Sequence, residues 1–105
     1  MADITVEKIT DRLRREAHRA DGLGKAVKLD FGAEGLVRVD AAQSPPEVSN
    51  EDGPADTVLR VSLSDFARIA RGDLDPMRAV LTRKLKIGGD MGAAMKLAQL
   101  FRESR

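Results

Sequence analysis

The sequence predicts an α+β domain in which a largely antiparallel sheet carries its helices on one face. Short runs at 27–31, 37–40, 57–63 and 84–87 alternate apolar with polar side chains, the pattern of strands with one wet face. Segments at 3–20, 65–71, 76–83 and from 91 toward the C-terminus read as helices from apolar spacing and from capping residues. The order is helix, two or three strands, strand, two helices, strand, helix. Strands with only one apolar face need helices on only one side. A chain of 105 residues fits one domain, here 1–105.

Residues 3–20 place Val6, Ile9, Leu13, Ala17 and Ala20 on one helical face, with Asp3 or Thr5 as the cap and Asp21-Gly22-Leu23-Gly24 as the stop. Val27, Leu29 and Phe31, then Val37 and Val39, alternate with charged residues about Gly32-Ala33-Glu34-Gly35, which reads as a hairpin. Residues 42–56 hold three prolines and form a loop, with a short edge strand at Glu47–Ser49. Thr57–Leu63 turns Leu59, Val61 and Leu63 inward. Ser64 then caps a helix over Asp65–Arg71 that Gly72 closes. Asp75-Pro76 opens another helix to about Arg83. Leu85 and Ile87 point inward from the strand Lys84–Ile87, Gly88-Gly89 breaks it, and Asp90 caps the final helix.

Composition excludes several classes of function. Lys and Arg number 18 against 17 Asp and Glu, a net charge of +1, which argues against a nucleic-acid binder. There is no Cys, hence no disulfide or thiolate metal site. No apolar run approaches the ~18 residues of a membrane span. The charged N-terminus lacks the apolar region of a secretory signal, and Glu103-Ser104-Arg105 is not a peroxisomal address, so the expected location is cytoplasmic.

The last helix is wider in its apolar face than a sheet requires. Met91, Ala93, Ala94, Met95, Leu97, Ala98, Leu100 and Phe101 cover an arc of roughly 220°. A helix lying on a sheet needs little more than ~100°. Another helix, a partner subunit or a ligand must cover the rest. Small alanines and flexible methionines suit a wall that adapts to what it touches.

An ordered set of residues then meets a family pattern. Ala55-Asp56 precedes a strand, Ser64-Asp65-Phe66 opens a helix, and Gly72-Asp73-Leu74-Asp75-Pro76 follows. Lys84-Leu85-Lys86-Ile87-Gly88-Gly89-Asp90-Met91 comes next, then Ala94-Met95-Lys96-Leu97 and Leu100-Phe101. This set resembles the C-terminal half of the sterol carrier protein 2 domain, and the Leu29–Gly32 and Val37–Asp40 hairpin is similar to bacterial members. Thr57 stands where the family often has Cys, and Arg83 where Gly often precedes the Lys-Leu pair.

The resemblance implies a five-stranded sheet covered on one face by helices, an apolar tunnel between them, and lipids as ligands. Neither a cofactor nor catalysis is expected, because no nucleophile–base pair or metal set is visible in the sequence. The expected lining residues are Phe66, Ile69, Leu74, Met77, Val80, Leu81, Met91, Met95, Ala98 and Phe101, since ligand pockets have mostly apolar walls.

Other features point to no chemistry. His18 is the only histidine, so neither a usual metal site nor a Cys–His pair can form. Ser62 and Ser64 lack the Gly-x-Ser-x-Gly context of a hydrolase nucleophile. Gly88–Gly92 lacks the Gly-Lys-Ser/Thr of a phosphate loop, and Asp90 would repel a phosphate there. The basic first helix could touch an anionic membrane surface transiently. The expected function is binding and intermembrane transfer of a fatty acid, acyl-CoA, sterol-like or isoprenoid lipid. The alternative is a protein-interaction or accessory domain presenting a hydrophobic intermediate, such as a quinone precursor, to a partner enzyme.

Overall fold

A computed structural model describes residues 4–103, with side chains through Leu97 and that of Gln99. The first helix, α1 (Val6–Glu16), begins at Thr5, whose hydroxyl accepts from the Lys8 N–H at 3.1 Å. It is shorter than its apolar pattern suggests, because residues Ala17–Ala20 tighten into a 3₁₀ turn. Strands β1 (Ala26–Asp30) and β2 (Leu36–Asp40) form the expected hairpin, and β3 (Glu47–Ser49) is the short edge strand. After β4 (Thr57–Val61) come α2 (Leu63–Arg71), α3 (Pro76–Leu81), β5 (Leu85–Gly89) and α4 (Met91–Glu103).

The five strands lie in the order β3-β2-β1-β4-β5. The central pair β1–β4 is parallel, and the other three pairs are antiparallel. Asp56 fixes where the parallel pair begins. Its N–H donates to the Ala26 carbonyl and its carboxylate accepts from the Ala26 N–H, both at 2.8 Å. Alternation then sends Val27, Leu29, Val37, Val39, Leu59 and Val61 into the core. Full burial of each such side chain is worth about 1.5–3 kcal/mol. On the open face, Lys28 pairs with Asp52 at 2.7 Å and Arg38 donates to the Pro54 carbonyl at 2.7 Å, which holds the loop after β3.

Two element boundaries differ from the sequence reading. The capping serine is Ser62, accepting from the Asp65 N–H at 3.0 Å, so Ser64 lies inside α2 and Leu63 belongs to the helix. Gly88 and Gly89 continue β5, opposite Val58 and Thr57, instead of ending it. Other punctuation stands as read. Gly72 closes α2 in the left-handed conformation, and the Asp75 carboxylate accepts from the Arg78 N–H with Pro76 in the first turn of α3.

Candidate functional site

The helices divide the sheet between them. Helix α1 lies over β2 and β3, while α4 packs on β4, β5 and α2. Under that second group is a gap with wholly apolar walls. Leu29, Leu59, Val61, Leu85 and Ile87 rise from the strands as its floor. Phe66, Ile69 and Ala70 from α2, Pro76 from α3, and Ala94, Met95 and Leu97 from α4 close it over. Phe66 is held edge-on against Phe31, ring centres 5.4 Å apart at 76°, a favoured aromatic geometry.

The cavity so enclosed measures about 30 Å³. Pockets that hold a drug-sized ligand run to ~300–1,000 Å³. The gap can admit a hydrocarbon chain only if its walls move apart. Met95 is half-buried, and an unbranched thioether can change rotamer to yield space. Ala70 and Ala94 leave room that larger residues would fill.

Asp90 sets the position of α4. Its carboxylate caps the helix at the Ala93 N–H, 3.1 Å, and pairs with Lys25 at 2.8 Å. Its carbonyl accepts from the buried Thr57 hydroxyl at 2.7 Å, and its N–H donates to the Asp56 carbonyl at 3.0 Å. The Lys25 hydrogen bond, then the helix N–H groups, hold the Asp90 carboxyl below its ordinary value of 3.8. The same hydrogen bond raises Lys25 above 10.5.

A depressed carboxylate stabilises the fold above its unfolded pKa, and that contribution is lost as pH falls through the folded value. A raised lysine stabilises below 10.5 and loses its contribution as pH rises through the folded value. Stability from this pair should therefore be whole from about pH 4 to about pH 10 and decline outside it. Asp90→Asn should flatten the acid limb of a Tm-against-pH curve. Parallel acid limbs for the two proteins would show that other groups set it.

Of the residues expected to line a tunnel, Phe66, Ile69 and Met95 stand on the cavity wall. Leu74 is buried within the core but away from the gap, and Val80 is partly buried against the core. Met77, Leu81 and Met91 face solvent, at 55%, 80% and 51% exposure. Ala98 and Phe101 lie outside the described side chains. The sequence reading did not count the sheet floor or Ala70, Pro76, Ala94 and Leu97 as site. Its own alternation already pointed Leu29, Leu59, Val61, Leu85 and Ile87 inward, beneath a helix judged too apolar. Among the described residues no group of three or more His, Asp and Glu could hold a metal, and no helix is long and apolar enough to cross a membrane.

Comparison with known proteins agrees with this architecture. The sequence profile of the SCP-2 sterol transfer family matches residues 6–102. A Caenorhabditis elegans protein named non-specific lipid-transfer protein-like 1 is 29% identical over 95% of the chain and 89% of its own length. Human sterol carrier protein 2 is 43% identical over 51 residues, 49% of the chain but 9% of that protein. The solution structure of sterol carrier protein domain 2 of Helicoverpa armigera superposes with a TM-score of 0.77. It is 26% identical, covering 97% of this chain and 89% of that one.

Proposed function

Since the chain belongs to the SCP-2 sterol transfer family, we propose that it works as one lipid-holding unit, taking a single apolar molecule between the sheet and α2–α4 and exchanging it with membranes. A fatty acid, an acyl-CoA, or a sterol-like or isoprenoid lipid is the class of cargo. One observation carries the reading: the gap under α4 has only apolar walls. Such a site needs no directional chemistry. An acyl chain of about 16 methylenes gains roughly 13 kcal/mol on leaving water, at ~0.8 kcal/mol each. A bilayer offers much the same gain, so a plain apolar slot suffices for exchange, and no catalytic group is required of it.

Opening is the cost of binding in a cavity this small. Helix α4 is the part to lift, because its Met95 is a half-buried, flexible residue on the cavity wall, and a guest restores the apolar contact that opening loses.

Native mass spectrometry of the purified chain, with extraction of whatever it carries, tests the proposal. The expected result is a mass increment of one lipid per chain, together with saturable uptake of a fluorescent fatty acid at about micromolar concentration. A chain that carries no such increment and takes up no fatty acid saturably is not a lipid carrier. The second reading is a domain presenting a hydrophobic intermediate, for example a quinone precursor, to a partner enzyme. It draws support from the human relative, where the matching segment is a small part of a longer protein. A co-purifying enzyme that empties the loaded chain would select it.

A further inference from the structure

We infer that α3 and the segment after it form a surface that docks on anionic bilayers, with Met77 and Leu81 entering the interface. Three large apolar side chains are exposed among the described residues, and two of them are these. At positions i and i+4 of one helix they stand one above the other on the same side. Leu81 is exposed by 80%, and an isolated exposed leucine would need no explanation. Here the setting does.

Cations follow the pair closely in the chain. Arg78 is exposed beside it, and Arg83 and Lys84 follow Leu81 almost directly. Arg83, Lys84 and Lys86 line one open groove with Arg60. None of Arg78, Arg83, Lys84 and Lys86 makes an ion pair among the described residues. Lys86 stands directly opposite Arg60 across β4–β5, a like-charge pair that disfavours the pairing and leaves the groove net positive. The acid in the groove, Asp30, faces Arg60 at 3.6 Å.

Arg83 adds a local cost to the same end. It closes α3 at φ 62°, its N–H on the Val80 carbonyl at 3.1 Å and the Lys84 N–H on the Ala79 carbonyl at 2.8 Å. Glycine is the natural occupant of that left-handed position, yet a cation holds it.

Exposed apolar side chains with cations close by in the chain match an anionic headgroup layer over hydrocarbon. Helix α1, also basic, turns Ile9, Thr10 and Leu13 inward and has no exposed large apolar residue to insert. Pro76, in the first turn of α3, lines the cavity, so docking here sets a cavity wall against the bilayer. That last step rests on the carrier reading; the docking itself does not.

The chain has no Trp, so Leu81→Trp makes a single reporter. Its emission should shift to the blue with vesicles of phosphatidylcholine containing about one third phosphatidylserine, and stay unmoved with phosphatidylcholine alone. Lys84→Gln with Lys86→Gln should weaken partitioning about fivefold per cation removed. Arg83→Gly should weaken it about fivefold also, with the fold kept because glycine suits the position. Leu81→Ser should weaken it about tenfold or more. The inference is overturned by unmoved Leu81→Trp emission on phosphatidylserine vesicles. It is equally overturned by a blue shift of a His18→Trp reporter in its place, which would put the 3₁₀ turn after α1 on the membrane, or by self-association through Leu81 without vesicle binding. No cargo enters these measurements, so their failure leaves lipid binding by the cavity to be judged by its own titration.

Discussion

Gly89→Ala should cost about 3 kcal/mol or more, a large share of the 5–15 kcal/mol that holds a domain of this size folded. A Cβ on Gly89 would stand 2.1 Å from the Asp56 carbonyl oxygen, 3.0 Å from its carbon and 3.2 Å from the Thr57 Cα. These are backbone atoms, so no side chain can swing aside. Nor is the backbone free to move. Asp56 is bonded to Ala26 through both its N–H and its carboxylate, its carbonyl receives the Asp90 N–H, and Thr57 is tied to the Asp90 carbonyl. Gly89 also sits at φ +90°, a conformation other residues adopt with strain.

Gly72→Ala is the control. That position shares the positive φ, at +84°, but has nothing within 4 Å of an added Cβ. Its cost is conformational only, about 1 kcal/mol, or roughly 4–8 °C in Tm. Gly89→Ala should fall some three times further or fail to fold. Equal Tm losses in the two variants would show that β4 can retreat and that the close approach at Gly89 does not constrain the fold.

That crowded junction explains where the sequence stopped being legible. Gly88-Gly89 looks like punctuation because glycine weakens strands, yet it lies within β5, where another strand's backbone comes too close for any side chain. The partner that makes glycine necessary is more than thirty residues away in the chain. Ser62 and Ser64 pose a similar choice. Both are good caps, and Leu63 between them is apolar enough to end a strand or begin a helix. What decides is the Asp65 N–H, which reaches Ser62. By contrast, Asp75-Pro76 and Gly72 act within one turn of chain and were readable as they stand.

The site follows the same division. Which strand residues face inward is a matter of alternation, and Leu59, Val61, Leu85 and Ile87 obey it. Which inward residues border empty space depends on how α2 and α4 meet, and the apolar count along α3 gave no sign that Met77 and Leu81 turn outward. Counting helical apolar residues overestimates a wall when a short helix covers only part of the sheet.

Met95→Trp should lower the affinity for a fluorescent fatty acid about thirtyfold with little change in Tm. Met95 is half-buried at the cavity wall, so an indole can fill the space on one side while its excess volume lies toward solvent, and the fold tolerates it. An indole takes the room of about two to three methylenes of cargo. At ~0.8 kcal/mol for each methylene left in water, the loss is about 2 kcal/mol, or roughly thirtyfold. Met91→Trp is the matched control, on the same helix but 51% exposed and off the cavity wall. It should leave fatty-acid affinity unchanged. If the two variants lose affinity alike, the guest lies along the outer side of α4. If Met95→Trp, folded by circular dichroism, binds as tightly as the unaltered chain, the gap beneath α4 is not where the lipid goes.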